Sequence, residues 1–316
     1  MQAELLIKQG QPLEALAALE GEVRSKPGDA KLRVFLFQLL CVLGRWERAL
    51  QQLEVAAQME PKNLLMAQAC RQAIICEKLR EEVFAGKRAP MVVGKPAEWV
   101  GLLLQAARMN ASGEHRAASE MRARALESAP ATSGMIETDS GATESFEWIA
   151  DADSRLGPML ELIVDGRYYW APFERIREIK IEKPTDLRDM VWAPAQLTWS
   201  TAAATVAFVP TRYIASDRSS DGLVQLSRTT EWSELFAGEY AGLGQRVLAT
   251  DAGEHPILST RKLTLNSAAP EAGEDGRPAE MPIVKGEMPM GLGLRAGPAG
   301  GNPGGHMGGH PGGGGG

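Results

Sequence analysis

The chain has 316 residues, 44% of them hydrophobic, and a formal net charge of −6, which leaves room for two domains with a sizeable core. The acidic balance argues against a nucleic-acid partner gripped mainly through its phosphates, because that grip needs a basic face. No apolar run approaches the ~18 residues of a membrane-spanning helix, and the opening MQAELLIKQG lacks the basic start and long apolar run of a secretory signal, so a cytoplasmic protein without membrane contact is expected.

The N-terminal third is periodic. Gly10, Ala15, Leu16, Leu19 and Pro27 recur 34 residues later as Gly44, Ala49, Leu50, Leu53 and Pro61, the period and residue choice of a tetratricopeptide repeat. Small Ala49 and Ala56 permit close helix approach, Leu53 fills the space between helices, and Pro61 stops the second helix. The first helix of this unit is expected from about Asp29 to Leu43, with Leu32, Leu36, Leu39, Leu40 and Leu43 on one apolar face. Repeats of this kind bury one face against their neighbours and leave a concave face free. The repeat register puts Lys31, Val34, Gln38 and Cys41 on that side, so these four are the candidate partner-binding residues.

A helix is expected from about Leu64 to Phe84, then a breaker-rich segment from Gly86 to Pro96, then a fainter helical unit marked by Trp99, Ala106, Ala118, Ala125 and Pro130. Residues 1–132 are therefore read as one helical domain. Cys41, Cys70 and Cys76 all fall in helical, apolar contexts without a CxxC pair, the pattern of buried reduced thiols and not of a disulfide framework.

Residues 133–145, rich in Ser, Thr, Gly and Ala, read as a linker. From 146 to 268 the helical period is lost and short β-type runs take over. These are Met159–Val164, Arg167–Pro172, Glu178–Glu182, Ala195–Ser200, Thr205–Pro210, Val224–Thr229, Gln245–Thr250 and Pro256–Leu265, with helical turns expected at Phe173–Arg177 and Asp186–Val191. The first two runs meet at Asp165-Gly166, a strong hairpin signal because a two-residue turn of the right twist needs positive φ at its centre. The sum is an α+β multidomain chain: a tetratricopeptide-like helical domain, then a mainly antiparallel, β-rich domain curling toward a barrel. Residues 269–316, dominated by Gly and Pro, are expected to be a disordered tail.

Chemical motifs are scarce. There is no GxSxG, P-loop or HExxH, and Gly242-Leu243-Gly244 lacks the strand–glycine–helix context of a dinucleotide site. Of four histidines, His115 falls at a helical turn, His306 and His310 in the tail, and His255 in TDAGEHP, a hairpin turn where a lone histidine is usually a surface residue. Asp151 and Asp153 read either as paired carboxylates of a hydrolase or as turn caps bonding nearby backbone amides, with Arg155 paired to one of them. The aromatic residues between Trp148 and Trp232 are expected mostly in the core, with some on a protein-binding surface. Neither a cofactor nor a metal is indicated.

The words EWIADADSRLGP, LELIVDGRYYWAPFERI, DLRDMVWAPAQLTW, FVPTRY, and TEW followed by GLGQR resemble the ImpE/TagJ family of type VI secretion accessory proteins, over about residues 3–265. The resemblance implies a helical repeat-like domain followed by an α+β domain, and a non-enzymatic adaptor. It implies binding to the N-terminal helix of the contractile-sheath small subunit and, through it, a link to sheath recycling by the ClpV ATPase. It carries over no catalytic residue, and the Gly-rich tail departs from the family pattern. A hydrolase at Asp151/Asp153 and a general scaffold for secretion components are the other readings. A long apolar groove would mark the adaptor, and a deep pocket of convergent polar groups the enzyme.

Overall fold

The computed structural model describes residues 1–267; the expected tail, with His306 and His310, lies outside them. Helices α1 (Gln2–Lys8) and α2 (Pro12–Ser25) form a first hairpin, α3 (Ala30–Val42) and α4 (Trp46–Met59) a second, and α5 (Leu64–Phe84) stacks after them. After a short strand β1 (Met91–Val92), helices α6 (Glu98–Ala111) and α7 (His115–Ser128) make a third hairpin. Helix α3 shows why the repeat folds as read. Asp29 begins it, its Oδ1 accepting the amides of Lys31 at 2.9 Å and Leu32 at 3.3 Å, which satisfies two of the first-turn donors. Gly44, at φ +63°, ends it. Its amide returns to the Cys41 carbonyl and that of Arg45 to Leu40, the paired bonds that close a helix through a left-handed residue.

The second half contains β2 (Gly134–Thr138), β3 (Thr143–Phe146), β4 (Ile149–Asp151), β5 (Met159–Val164), β6 (Arg167–Pro172), β7 (Ile176–Ile181), β8 (Trp192–Trp199) and β9 (Ala204–Pro210). A short helix α8 (Gly222–Gln225) precedes β10 (Thr230–Phe236), β11 (Glu239–Gly244), β12 (Val247–Thr250), β13 (Glu254–Pro256) and β14 (Thr260–Leu265). Nine strands form one sheet in the order β1-β6-β5-β9-β8-β7-β14-β2-β3; β13-β12-β4 form a second sheet, and β10-β11 a separate two-stranded ribbon. All the pairings are antiparallel except β1 with β6. The β5–β6 turn has Asp165 at φ +46° and Gly166 at φ +68°, the double positive φ that a two-residue hairpin turn demands.

Four expectations need correction. Residues 133–145 are no linker: they supply β2 and most of β3, and β2 pairs with β14 through Ile136↔Leu263. Small polar residues suit this place because most of these outer strands meets solvent, while Ile136 and, at the end of β3, Phe146 reach the core. The breaker-rich segment contributes β1, whose Met91 and Val92 pair with Tyr169 and Trp170, so the helical half lends a strand to the sheet. The run Val224–Thr229 is not a strand: Asp221 accepts the Leu223 amide at 2.7 Å and starts α8 instead. The large sheet is open, with β1 and β3 at separate edges, and does not close into a barrel.

Strand β5 explains how the two halves join. All six of its residues are buried. Met159 and Ile163 enter a core shared with Phe37, Leu39, Trp46 and Ile74 of the helices. Leu160, Leu162 and Val164 face the other way, into a core lined by the remaining strands. Alternation of side chains along a strand thus sandwiches β5 between the repeat and the sheet's own core. Ring pairs close the seam, Trp46 with Trp192 at 6.0 Å and Phe84 with Trp170 at 5.7 Å between centroids.

Candidate functional site, a buried ionic joint

The helix-facing positions of β5 are Met159, Glu161 and Ile163, so the period-2 pattern drives Glu161 into an apolar interface. A buried carboxylate there must be paired. Arg80 of α5 meets it with Nε donating to Oε1 at 2.6 Å and Nη2 to Oε2 at 2.9 Å. Arg246, just before β12, donates to Oε2 from the other side, and the Tyr168 hydroxyl donates to Oε1. The Trp170 indole donates to the Tyr168 oxygen at 2.6 Å. Arg80 also donates to the Arg212 carbonyl at 2.7 Å, and neighbouring Glu77 accepts the Trp192 indole N–H at 2.8 Å.

Arg246 is shared. Its other terminal nitrogen donates to Asp151 Oδ2, and its Nε to the Pro210 carbonyl at 2.9 Å. Asp151 Oδ1 accepts the Tyr213 hydroxyl at 3.0 Å and the Asp153 amide at 2.9 Å. Asp153 accepts the Arg155 amide and Nε, each at 2.9 Å, Arg155 Nη2 at 2.5 Å and the Gly242 amide at 3.0 Å. Both aspartates therefore cap turns, as one of the two readings had it, and Arg155 pairs with Asp153. What was not anticipated is that they continue a buried network reaching α5.

Burial pushes the Glu161 carboxyl up, but the guanidinium groups of Arg80 and Arg246 outweigh it and hold the group at about 2. For Asp151 burial wins, pushing it up to about 6 against the pull of Arg246. The contrast follows from geometry: Glu161 has two guanidinium groups and Asp151 has a share of one. The two carboxylates and two guanidinium groups balance, with every carboxylate oxygen engaged, so the cluster ties the helices to the β unit. Burial likewise raises the thiols, Cys70 to about 11, Cys76 to about 12, and Cys41 upward. All three cysteines are free and buried, and a protonated thiol is a poor nucleophile.

A second set of contacts fixes α3. Arg212 points its guanidinium at the end of that helix, donating to the Val42 carbonyl at 2.6 Å and the Cys41 carbonyl at 3.0 Å, and also to Gln225 at 2.9 Å. A cation at a helix C-terminus meets both the open carbonyls and the negative end of the dipole. The Gln38 amide spans the same face: its oxygen accepts the Leu187 amide at 3.1 Å, and its nitrogen donates to Asp186 at 3.3 Å.

This overturns the expected open concave face. Gln38 and Cys41 are buried under the chain's own segment from Asp186 to Met190 and under Arg212. Lys31 stays exposed and Val34 half-buried, toward the start of α3. The groove that repeats of this kind leave free is here filled from within. His255 also departs from expectation, buried within 3.2 Å of the Thr250 hydroxyl and 3.7 Å of Glu144. The residues that sequence reasoning missed are Arg80, Glu161 and Arg246. Glu161 had a signal, a lone charge inside the apolar run MLELIV.

A tetratricopeptide-like array tied by buried charges to a β-rich unit defines a helical-repeat protein with a buried polar centre. Residues 6–73 match the tetratricopeptide repeat family and residues 143–264 the ImpE protein family. The chain is 47% identical over 263 residues to the type VI secretion system accessory component TagJ of Pseudomonas aeruginosa PAO1, covering 83% of this chain and 90% of that protein. The crystal structure of protein VPA1032 from Vibrio parahaemolyticus superposes with a TM-score of 0.74 at 25% identity, over 85% of this chain and 98% of that one. The chain belongs to the ImpE/TagJ family.

Proposed function

We propose that this protein is a non-enzymatic accessory component of a type VI secretion system. It acts in the cytoplasm as an adaptor that binds the N-terminal helix of the contractile-sheath small subunit, and so links the sheath to its recycling by the ClpV ATPase. The observation that carries the reading is the 47% identity running along 90% of TagJ. The buried joint supports the non-catalytic part: the carboxylates that a hydrolase would use, Asp151 and Asp153, are saturated by Arg246, Tyr213, Arg155 and backbone amides. Among the described residues no group of three or more His, Cys, Asp or Glu could hold a metal ion, and no helix is long and apolar enough to cross a membrane. The test is co-purification of the full chain with the sheath small subunit from the native bacterium, with contracted sheath present and absent. Recovery of the small subunit is expected; recovery of other secretion components without it would favour a general scaffold.

A further inference from the structure

Arg122 of α7 differs from the other buried arginines. Its side chain is 1% exposed, and Nη1 donates to Glu239 of β11. Two further nitrogens, Nε and Nη2, are buried and meet no acceptor among the described residues. Buried donors are nearly always paired, because an unpaired one forfeits its hydration. Arg80, Arg188, Arg212 and Arg246 obey that rule, holding carboxylates or backbone carbonyls with their guanidinium nitrogens.

No nearby carboxylate is free to turn toward Arg122. Asp153, which acts on it electrostatically, already accepts the amide, Nε and Nη2 of Arg155 and the Gly242 amide. Glu239 is held on Nη1. Burial therefore depresses the Arg122 guanidinium against the pull of Glu239 and Asp153, whereas carboxylates outweigh burial and raise Arg80, Arg155 and Arg246.

Nε and Nη2 lie along one edge of the planar guanidinium and donate in the same direction. Such an edge is the side-on fork that takes both oxygens of one carboxylate. The surrounding charge selects among oxyanions. Arg122 and Arg155 balance Glu239 and Asp153, so a dianion such as phosphate meets two carboxylates, while a monoanion adds a single charge and completes two charge-assisted bonds. Groups beside the fork reach solvent: Glu239 is 19% exposed, and Leu126, one turn further along α7 and against Gly157, is 43% exposed.

We infer that Arg122 binds a small monocarboxylate through Nε and Nη2, at the seam between α7 and the β10–β11 ribbon. A free carboxylate of acetate size and the carboxylate of an aspartate or glutamate side chain offer the same planar pair of oxygens, and the test separates these two sources. The site is independent of the sheath-binding reading and stands or falls without it.

Thermal melts of the full chain are run near neutral pH with sodium acetate, with the α-amide of N-acetylglutamate and with sodium phosphate, each against sodium chloride at equal ionic strength. Acetate is expected to raise Tm by about 3 °C at about ten times its Kd, and phosphate to raise it less. A rise with the glutamate derivative as well supports a protein side chain as the source; a rise with acetate alone supports a free ligand. Arg122→Lys keeps the charge but lacks the two-nitrogen edge, so it should weaken acetate binding at least about tenfold, with its fold checked by circular dichroism. Glu239→Gln keeps the shape and removes the charge beside the fork, so it should bind acetate at least about threefold more tightly, and it decides the matter if Arg122→Lys does not fold. A larger rise with phosphate contradicts the carboxylate assignment. No acetate-dependent rise in wild type, or a rise that both variants leave unchanged, as an adventitious ion only would give, overturns the inference and leaves water as the partner of both nitrogens.

Discussion

Glu161→Gln is the sharpest perturbation of the joint. It keeps the shape and removes the charge, leaving Arg80 and Arg246, both fully buried, facing a single full carboxylate partner in Asp151 and the more weakly placed Glu77. Breaking a buried pair from one side costs about 3–5 kcal/mol, because the remaining charge stays desolvated. For a folded body of this size each 1 kcal/mol moves Tm by roughly 2–4 °C, so a fall of roughly 6–20 °C is expected. Thermal melts followed by far-UV circular dichroism and by tryptophan fluorescence supply the assay. Since Trp46, Trp170 and Trp192 sit in the core shared by both halves, the two signals should fall together. Arg80→Met in the Glu161→Gln background should cost much less than the sum of the two single changes, because the orphaned guanidinium is gone. A Glu161→Gln variant within about 1 kcal/mol of wild type would refute the reasoning, since it would mean that water or rearrangement solvates the arginines at no cost.

Acid should act on the joint in two opposed steps. Glu161 is depressed from 4.5 to about 2, so its contribution, about 3 kcal/mol at most, is present above the unfolded value and is lost as pH falls from 4.5 toward 2. Asp151 is raised from 3.8 to about 6, so it favours the fold more below 3.8 than above 6, and its contribution should rise by a comparable amount as pH falls through that window; Asp151→Asn should remove that rise in urea titrations. Arg212→Ala should cost about 3 kcal/mol and speed amide exchange in the last turn of α3, where the Cys41 and Val42 carbonyls lose their donor; unchanged exchange there would contradict the capping role. Gly44→Ala should destabilise by at least about 1 kcal/mol in denaturant melts, because φ is +63° and the new Cβ would lie 2.1 Å from Asp217 Oδ2. The three thiols should react with a thiol reagent only as fast as the protein unfolds, given their burial.

Much of this fold was legible because it rests on local rules. The 34-residue recurrence fixed the α1–α4 stack, and Asp165-Gly166 fixed the β5–β6 hairpin with both strand boundaries. Failures came where a local pattern meets a distant partner. The outer strands β2 and β3 have the composition of a linker, and only the pairing of β2 with β14, more than a hundred residues away, ties them into the sheet. The concave face looked free because the repeat register is blind to the segment from Asp186 to Met190 that fills it. Arg80 gave no signal on a helix that carries charges along its length, and Glu161 gave one only as a charge in an apolar run. The words that carry the family resemblance hold Asp151, Asp153, Glu161 and Arg246 of the joint, and Asp186 and Arg212 of the contacts on α3, though not Arg80. Part of their specificity therefore lies in a packed seam.

The central claim is that this seam makes the helical repeat and the β unit one cooperative body. Native-state hydrogen exchange on the full chain measures that directly, because each cooperative unit opens with its own free energy. Amides in the middle of α3 and α5 and those of β5 and β6 should exchange with a single shared opening free energy, and Glu161→Gln should lower it for all four elements together. Helical amides that open at a distinctly lower free energy than β5, and that keep that value in Glu161→Gln, would contradict it.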